Sequence, residues 1–182
     1  RQMAEDAKLL NAAKPDSQDI CFIPFGDYKE FIKDRVAAVP GDIVDMEGRV
    51  VAQHKGIEFF TVGQRRGLGL VQTKVDEQPQ FVIRLEPEAN RVVVGPEEFL
   101  YQDSMWASRV NYVLGQPPAQ PVNVAVKIRY KSDDAPAVLH PGKDGALVRF
   151  DQPQRAITPG QAAVFYQGDV LIGGGIIESN IP

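Results

Sequence analysis

The stretch Pro121 to Asp151, "PVNVAVKIRYKSDDAPAVLHPGKDGALVRFD", decides the fold. Val122, Val124, Val126 and Ile128 recur at every second position, the period of a strand with one covered face. Lys127, Arg129 and Lys131 fall on the opposite face, and Tyr130 stands at the strand end. "APAVLHPG" and "ALVRFD" follow as two further short strands about the turn at Pro141-Gly142. Outward from this core the same language continues, in "MWASRVNYVL" on one side and in "AAVFYQG" and "DVLIGGGIIES" on the other. Pro117-Pro118 and the "TPG" of Thr158 to Gly160 supply the breaks. Short strands so spaced predict a small closed barrel or sandwich.

Upstream, "QFVIRLEP" and "NRVVVGP" read as strands on either side of the turn from Glu86 to Asn90. "DIVDMEGRVVAQH" reads as a hairpin about Glu47-Gly48, and "IEFFTVGQRRGLGL" as a strand running into a basic, glycine-punctuated loop. Helical signals are confined to the first fifth. In "RQMAEDAKLL", Met3, Ala7 and Leu10 share a face; in "GDYKEFIKDRV", Asp27 and Glu30 resemble a capping box before Tyr28, Phe31, Ile32 and Val36. No Ser, Thr, Asp or Asn precedes the first helix, so the chain is expected to be a piece of something longer. Gln72 to Gln80 is polar and is the expected linker. The predicted layout is mainly β: a short N-terminal helical segment, a small β module to about residue 78, and a C-terminal β-barrel from about residue 79.

Composition narrows the functions. The net charge is −4, against indiscriminate polyanion binding, yet cations cluster locally. From Lys55 to Lys74, Lys55, Arg65, Arg66 and Lys74 face the single anion Glu58, and "KIRYK" packs three cations and a tyrosine into five residues. No apolar run approaches the roughly 20 residues that span a bilayer. Cys21 is the only cysteine, which excludes an internal disulfide framework and a Cys-rich zinc site, and suits a reducing, cytosol-like compartment. His54 and His140 leave little else to ligate a transition metal, so no metal is expected.

Each candidate site has a structural reading beside its functional one. Cys21, in "KPDSQDICFIP", is either a small buried hydrophobe beside Phe22 and Ile23 or a reacting thiol. Asp16 and Asp19 would raise a thiol pKa, whereas Lys14 would lower it. The loop "TVGQRRGLGL" is either a solvated turn or a place where glycines let a phosphate backbone approach Arg65 and Arg66. Lys127, Arg129 and Tyr130 are either the wet face of a barrel strand or a grip for an RNA backbone and a base. Gln161 leaves a tight turn.

Taken in order, "RQMAEDAKLL", "KPDSQDICFIP", "PGDIVDMEGRVVAQHKGIEFFTVGQRRGLGL", "VKIRYKS" and "ITPGQAAVFYQGDVLIGGGII" resemble the tRNA-specific 2-thiouridylases, over the back half of such an enzyme. The resemblance implies that residues 1–22 are the remnant of a catalytic domain, 23–78 a central β adaptor and 79–182 a barrel like those of translation factors. It implies that Cys21, in the run Asp16-Ser17-Gln18-Asp19-Ile20-Cys21-Phe22, carries sulfur as a persulfide for C2 of the wobble uridine. ATP and magnesium would belong to the family's front half, with none bound by these residues, and this chain alone would be inactive. Arg129, Tyr130 and Gln161 would contact tRNA, with Lys127, Arg65 and Arg66 beside them. The implied partners are tRNA and a persulfide donor, a cysteine desulfurase or sulfur-relay protein, for a cytoplasmic monomer. The rival is a non-catalytic RNA-binding β-barrel module with a structural cysteine.

Overall fold

The structure is a computed structural model that describes residues 2–14, 31–32, 35–70, 78–130 and 132–178. It divides into two units, Arg1–Ala38 and Val39–Pro182. In the first, helix α1 spans Gln2–Asp6 and stops earlier than its apolar spacing suggests. Lys8 takes a left-handed conformation (φ 53°), Leu9 N–H bonds Ala4 O at 3.0 Å and Lys8 N–H bonds Glu5 O at 2.9 Å. That is a Schellman closure, built on a lysine where glycine is usual. Phe31 and Ile32 are helical, as expected, but Asp27, Tyr28 and Glu30 lie outside the described residues.

The second unit opens with β1 (Gly41–Val44) and β2 (Val50–His54), antiparallel partners. Gly48 turns at φ 82°, and Asp45 Oδ1 accepts the N–H groups of Glu47 (3.0 Å) and Arg49 (2.9 Å). Strands β3 (Phe81–Glu86) and β4 (Arg91–Gly95) then add to β1, giving the order β2-β1-β4-β3 with β1 and β4 parallel. Ile43, Leu68, Val82, Val92 and Val94 form the buried core of this sheet. The expected barrel start at residue 79 is therefore corrected: residues 81–95 belong to the sheet. The reason is physical, since an isolated two-stranded hairpin buries too little to stand alone, and β3–β4 supply its missing strands.

The closed barrel runs β10-β5-β8-β7-β6-β9, from β5 (Tyr101–Tyr112), β6 (Val122–Lys127), β7 (Ala135–Pro141), β8 (Gly145–Arg155), β9 (Ala162–Gln167) and β10 (Val170–Ile177). Val124, Val126 and Ile128 point inward with Leu139, Val148 and Phe165, as their alternation requires. Sheet and barrel share a third core of Phe81, Ile83, Leu100 and Ala156. Across this joint Arg155 Nε bonds Glu97 Oε1 at 2.9 Å, and its guanidinium lies 5.4 Å from the centre of the Phe81 ring.

Candidate nucleic-acid interface

The basic loop is held from inside by Gln64. Its Oε1 accepts Thr61 N–H at 3.1 Å and its Nε2 donates to Arg66 O at 2.9 Å. Gly63 N–H bonds Val82 O (2.8 Å) and Val82 N–H bonds Gln64 O (2.9 Å), tying the loop to β3. Leu68, buried in the sheet core, anchors its far end. Arg65 and Arg66 are left exposed and make no ion pair among the described residues. Gly63 has φ 86°, and a Cβ there would stand 3.1 Å from the Cβ of Ala156. The loop thus rests against the end of β8.

Ala156 is the hub of this end. It is buried, with 1% of its surface exposed, and left-handed at φ 53°. Its N–H bonds Leu100 O at 2.7 Å, and its O accepts Thr158 Oγ1 at 2.9 Å and also the Arg129 guanidinium. The same Arg129 nitrogen reaches Arg155 O at 3.3 Å. Two expectations are corrected here. Strand β6 ends at Lys127 rather than continuing through Tyr130, and Arg129 is not a free cation on an outer ridge but turns back onto these carbonyls. Ser132 closes the bend, its N–H and Oγ both bonding Arg129 O.

Of the remaining candidates, Tyr130 is 91% exposed and Gln161 is exposed. Lys127 faces Asp134 at 3.7 Å. The register sets Lys127 opposite Val164, so the chain leaving β6 and the chain entering β9 at Gln161 lie at one end of the barrel. Three stretches far apart in sequence, "GQRRG", "IRY" and "TPGQ", are therefore joined through Ala156. Sequence reasoning missed Ala156 and Arg155, because an alanine in left-handed conformation leaves no signature in "DQPQRAI". Arg65 also lines a groove of about 720 Å³ beside the turn at Asp45 to Arg49. Burial raises the Asp45 carboxyl, but hydrogen bonds from Arg49 and Glu47 outweigh it and hold the group below its ordinary pKa.

Cys21, with Asp16, Ser17, Ile20 and Phe22, lies outside the described residues. Among the described residues no group of three or more His, Cys, Asp or Glu is arranged to hold a metal ion. No described helix is long and apolar enough to cross a membrane. His54, at the end of edge strand β2, is buried with its ring 5.5 Å from that of Phe60 and Nε2 3.2 Å from Asn90 O.

The sheet and the barrel define a pair of joined β modules that present arginines at one end. Residues 29–96 match the tRNA methyl transferase PRC-barrel domain, and residues 102–177 the aminomethyltransferase β-barrel domain. The chain is 47% identical to the tRNA-specific 2-thiouridylase MnmA of Moorella thermoacetica, covering 98% of this chain and 50% of that protein. It is 45% identical to the protein of the same name from Pelotomaculum thermopropionicum (98% and 48%) and 43% identical to that of Carboxydothermus hydrogenoformans (100% and 49%). The chain belongs to the tRNA-specific 2-thiouridylase family, and it spans about half the length of the curated relatives it matches.

Proposed function

We propose that this chain serves a tRNA-uridine 2-sulfurtransferase, binding tRNA through its β modules and carrying sulfur on Cys21. What supports the tRNA half of this reading is the joining of three sequence-distant basic or polar stretches at the Ala156 end. Arg65 and Arg66 meet phosphates, Tyr130 offers a ring for a base, and Gln161 and Lys127 border the same end. Arg129 shapes this end from behind and contributes its charge to the local field.

The sulfur half rests on sequence alone. A cysteine desulfurase or sulfur-relay protein leaves a sulfane sulfur on Cys21, and the terminal sulfur forms the new bond to C2 of the uridine. ATP supplies the activation that makes the C2 oxygen a leaving group, and it is bound elsewhere in the full-length enzyme. A second thiol then takes up the Cys21 sulfur as a disulfide, breaking the persulfide bond, and two equivalents of an external thiol, themselves oxidised to a disulfide, restore both. The chain alone performs no turnover, acts as a monomer and works in the cytoplasm.

Two measurements test the two halves separately. Salt-dependent tRNA binding is expected for the wild type and is expected to weaken in Tyr130→Ala and Arg65→Ala. Equal affinity in all three would remove the tRNA reading. Mass spectrometry after incubation with a cysteine desulfurase and cysteine is expected to show one added sulfur on the wild type and none on Cys21→Ser. Uptake that survives Cys21→Ser would mean another acceptor, and leave an RNA-binding module as the better account.

A further inference from the structure

Arg155 ends β8 and serves both β modules at once. On the barrel side its backbone O accepts the Arg129 guanidinium at 3.3 Å, and Arg129 directly precedes the exposed Tyr130. Its side chain reaches the sheet. Nε bonds Glu97 Oε1 at 2.9 Å, on the short helical turn Glu97–Leu100 that leads from β4 into β5. The guanidinium carbon lies 5.4 Å from the centre of the Phe81 ring, on β3. Nη1 is 3.7 Å from where a Cβ on Gly63 would stand, so it borders the root of the basic loop. One residue thus joins the turn between the modules and the edge strand of the sheet to the seats of the basic loop and the Tyr130 bend.

Stability does not explain this side chain. Arg155 and Glu97 are 36% and 52% exposed, and an ion pair so open to water adds little to folding. A cation–ring contact made by the same half-exposed guanidinium is weak as well. What these contacts fix is orientation. Among the described residues the buried joint of sheet and barrel is formed by Phe81, Ile83, Leu100 and Ala156, with Met46 and Val62 packed against it. A joint of that size leaves two modules free to rock unless something outside it holds them. The ion pair and the ring contact stand at its rim, where the basic loop and the Arg129 bend both lie against Arg155.

We propose that Arg155 is a positioning residue for tRNA: with Glu97 and Phe81 it latches the sheet to the barrel, so that the Arg65-Arg66 loop and the Tyr130–Gln161 end meet one RNA as a single preorganised surface. The proposal deepens the tRNA-binding reading above and rests on it. It gives Arg155 no contact with RNA. A surface already held in its binding geometry avoids part of the ordering cost of association, so the latch raises affinity without adding a phosphate contact. Glu97 separates this role from plain electrostatics. An anion this near the basic loop opposes RNA through its charge and favours it only through its hold on Arg155.

The test measures tRNA affinity across salt concentrations, and the unfolding midpoint, for wild type, Arg155→Ala, Glu97→Ala and the double variant. Each single variant is expected to bind tRNA about two- to tenfold more weakly, the scale of ordering one freed side chain. The slope of log K on log salt is expected to stay at the wild-type value, since no phosphate contact is lost. The midpoint is expected to move little, and the double variant to lose no more affinity than the weaker single one, because the two side chains share one interaction. Glu97→Ala is decisive: removing an anion tightens binding if charge alone matters, whereas the latch requires it to weaken. A Glu97→Ala or Arg155→Ala protein that binds tRNA as well as the wild type, or better, overturns the proposal. So does a slope that falls by about 0.7–0.9 in Arg155→Ala, which makes Arg155 a phosphate contact in its own right. Affinity losses that merely follow large losses of midpoint overturn it too, since the pair then serves folding alone. Wild-type binding with unaffected variants removes only the latch, whereas a wild type that binds no tRNA removes the underlying reading and this one with it.

Discussion

Arg129 and the pair Arg65-Arg66 stand at the same end of the molecule and were singled out by the same kind of signal, a cation beside an aromatic or a glycine. Their employment differs. Arg129 is half-buried and donates to the carbonyls of Arg155 and Ala156, whereas Arg65 and Arg66 sit exposed on a loop whose own hydrogen bonds are completed by Gln64. The contrast teaches that a cation's place in a charge pattern does not say whether it serves the fold or a partner. The acceptors within its reach decide that.

The sharpest way to break the contrast is Arg129→Ala. It removes the charged donor from the carbonyls of Arg155 and Ala156 at a partly buried bend, the second keeping only Thr158 Oγ1, and hydrogen bonds to a charged group are worth about 1.5–3 kcal/mol. Denaturant unfolding is expected to show a loss of that order, with tRNA affinity falling as a consequence. Unchanged stability alongside lost affinity would return Arg129 to the role of a plain RNA contact.

Gly63→Ala comes next. The positive φ and the Cβ of Ala156 at 3.1 Å both oppose the new methyl. A destabilisation of about 1–2 kcal/mol is expected from the backbone conformation. The loop would also shift, so tRNA affinity should drop although no charge is lost. A variant that binds tRNA as the wild type does would show that the loop's seat on Ala156 is unimportant.

Arg65→Ala with Arg66→Ala should give the opposite signature. Exposed side chains without partners change stability by less than about 0.5 kcal/mol. The salt slope should nevertheless fall by about 0.7–0.9 for each phosphate contact removed. A large change in unfolding midpoint would place these arginines with Arg129 after all.

What could be read in advance follows from how local each cause is. The β1–β2 hairpin, the inward run Val124, Val126 and Ile128, and the basic loop were legible because each depends on residues within a few positions. Strand partners were not: Asp42 pairs in parallel with Arg91, and no alternation pattern names its neighbour. This is why residues 81–95 were placed in the wrong module. The early end of α1 was hidden because Lys8 carries none of the glycine signature of a left-handed cap. The anchoring of Arg129 was hidden for a similar reason, since its acceptors lie 26 and 27 residues away. The role proposed for Cys21 comes from family resemblance alone, its local chemistry pointing both ways.

The smallest effect concerns arginines that serve the fold at the surface. Glu86 accepts Arg84 Nε at 2.9 Å on one oxygen and Arg91 Nε at 3.0 Å on the other, across the β3–β4 hairpin. Burial pushes its carboxyl up, but the hydrogen bonds and charges of the two arginines prevail and hold it below its ordinary pKa. A carboxyl lowered in the folded state stabilises it above the unfolded pKa, and that contribution disappears as pH falls through the folded one. The wild type should therefore exceed Glu86→Gln in stability at neutral pH, by about 1 kcal/mol or less for so exposed a cluster. The gap should close below the ordinary carboxylate range. If it stays constant with pH, the carboxylate's charge is not what holds the hairpin. If it matches the loss in Arg129→Ala, burial would not be what separates a strong arginine anchor from a weak one.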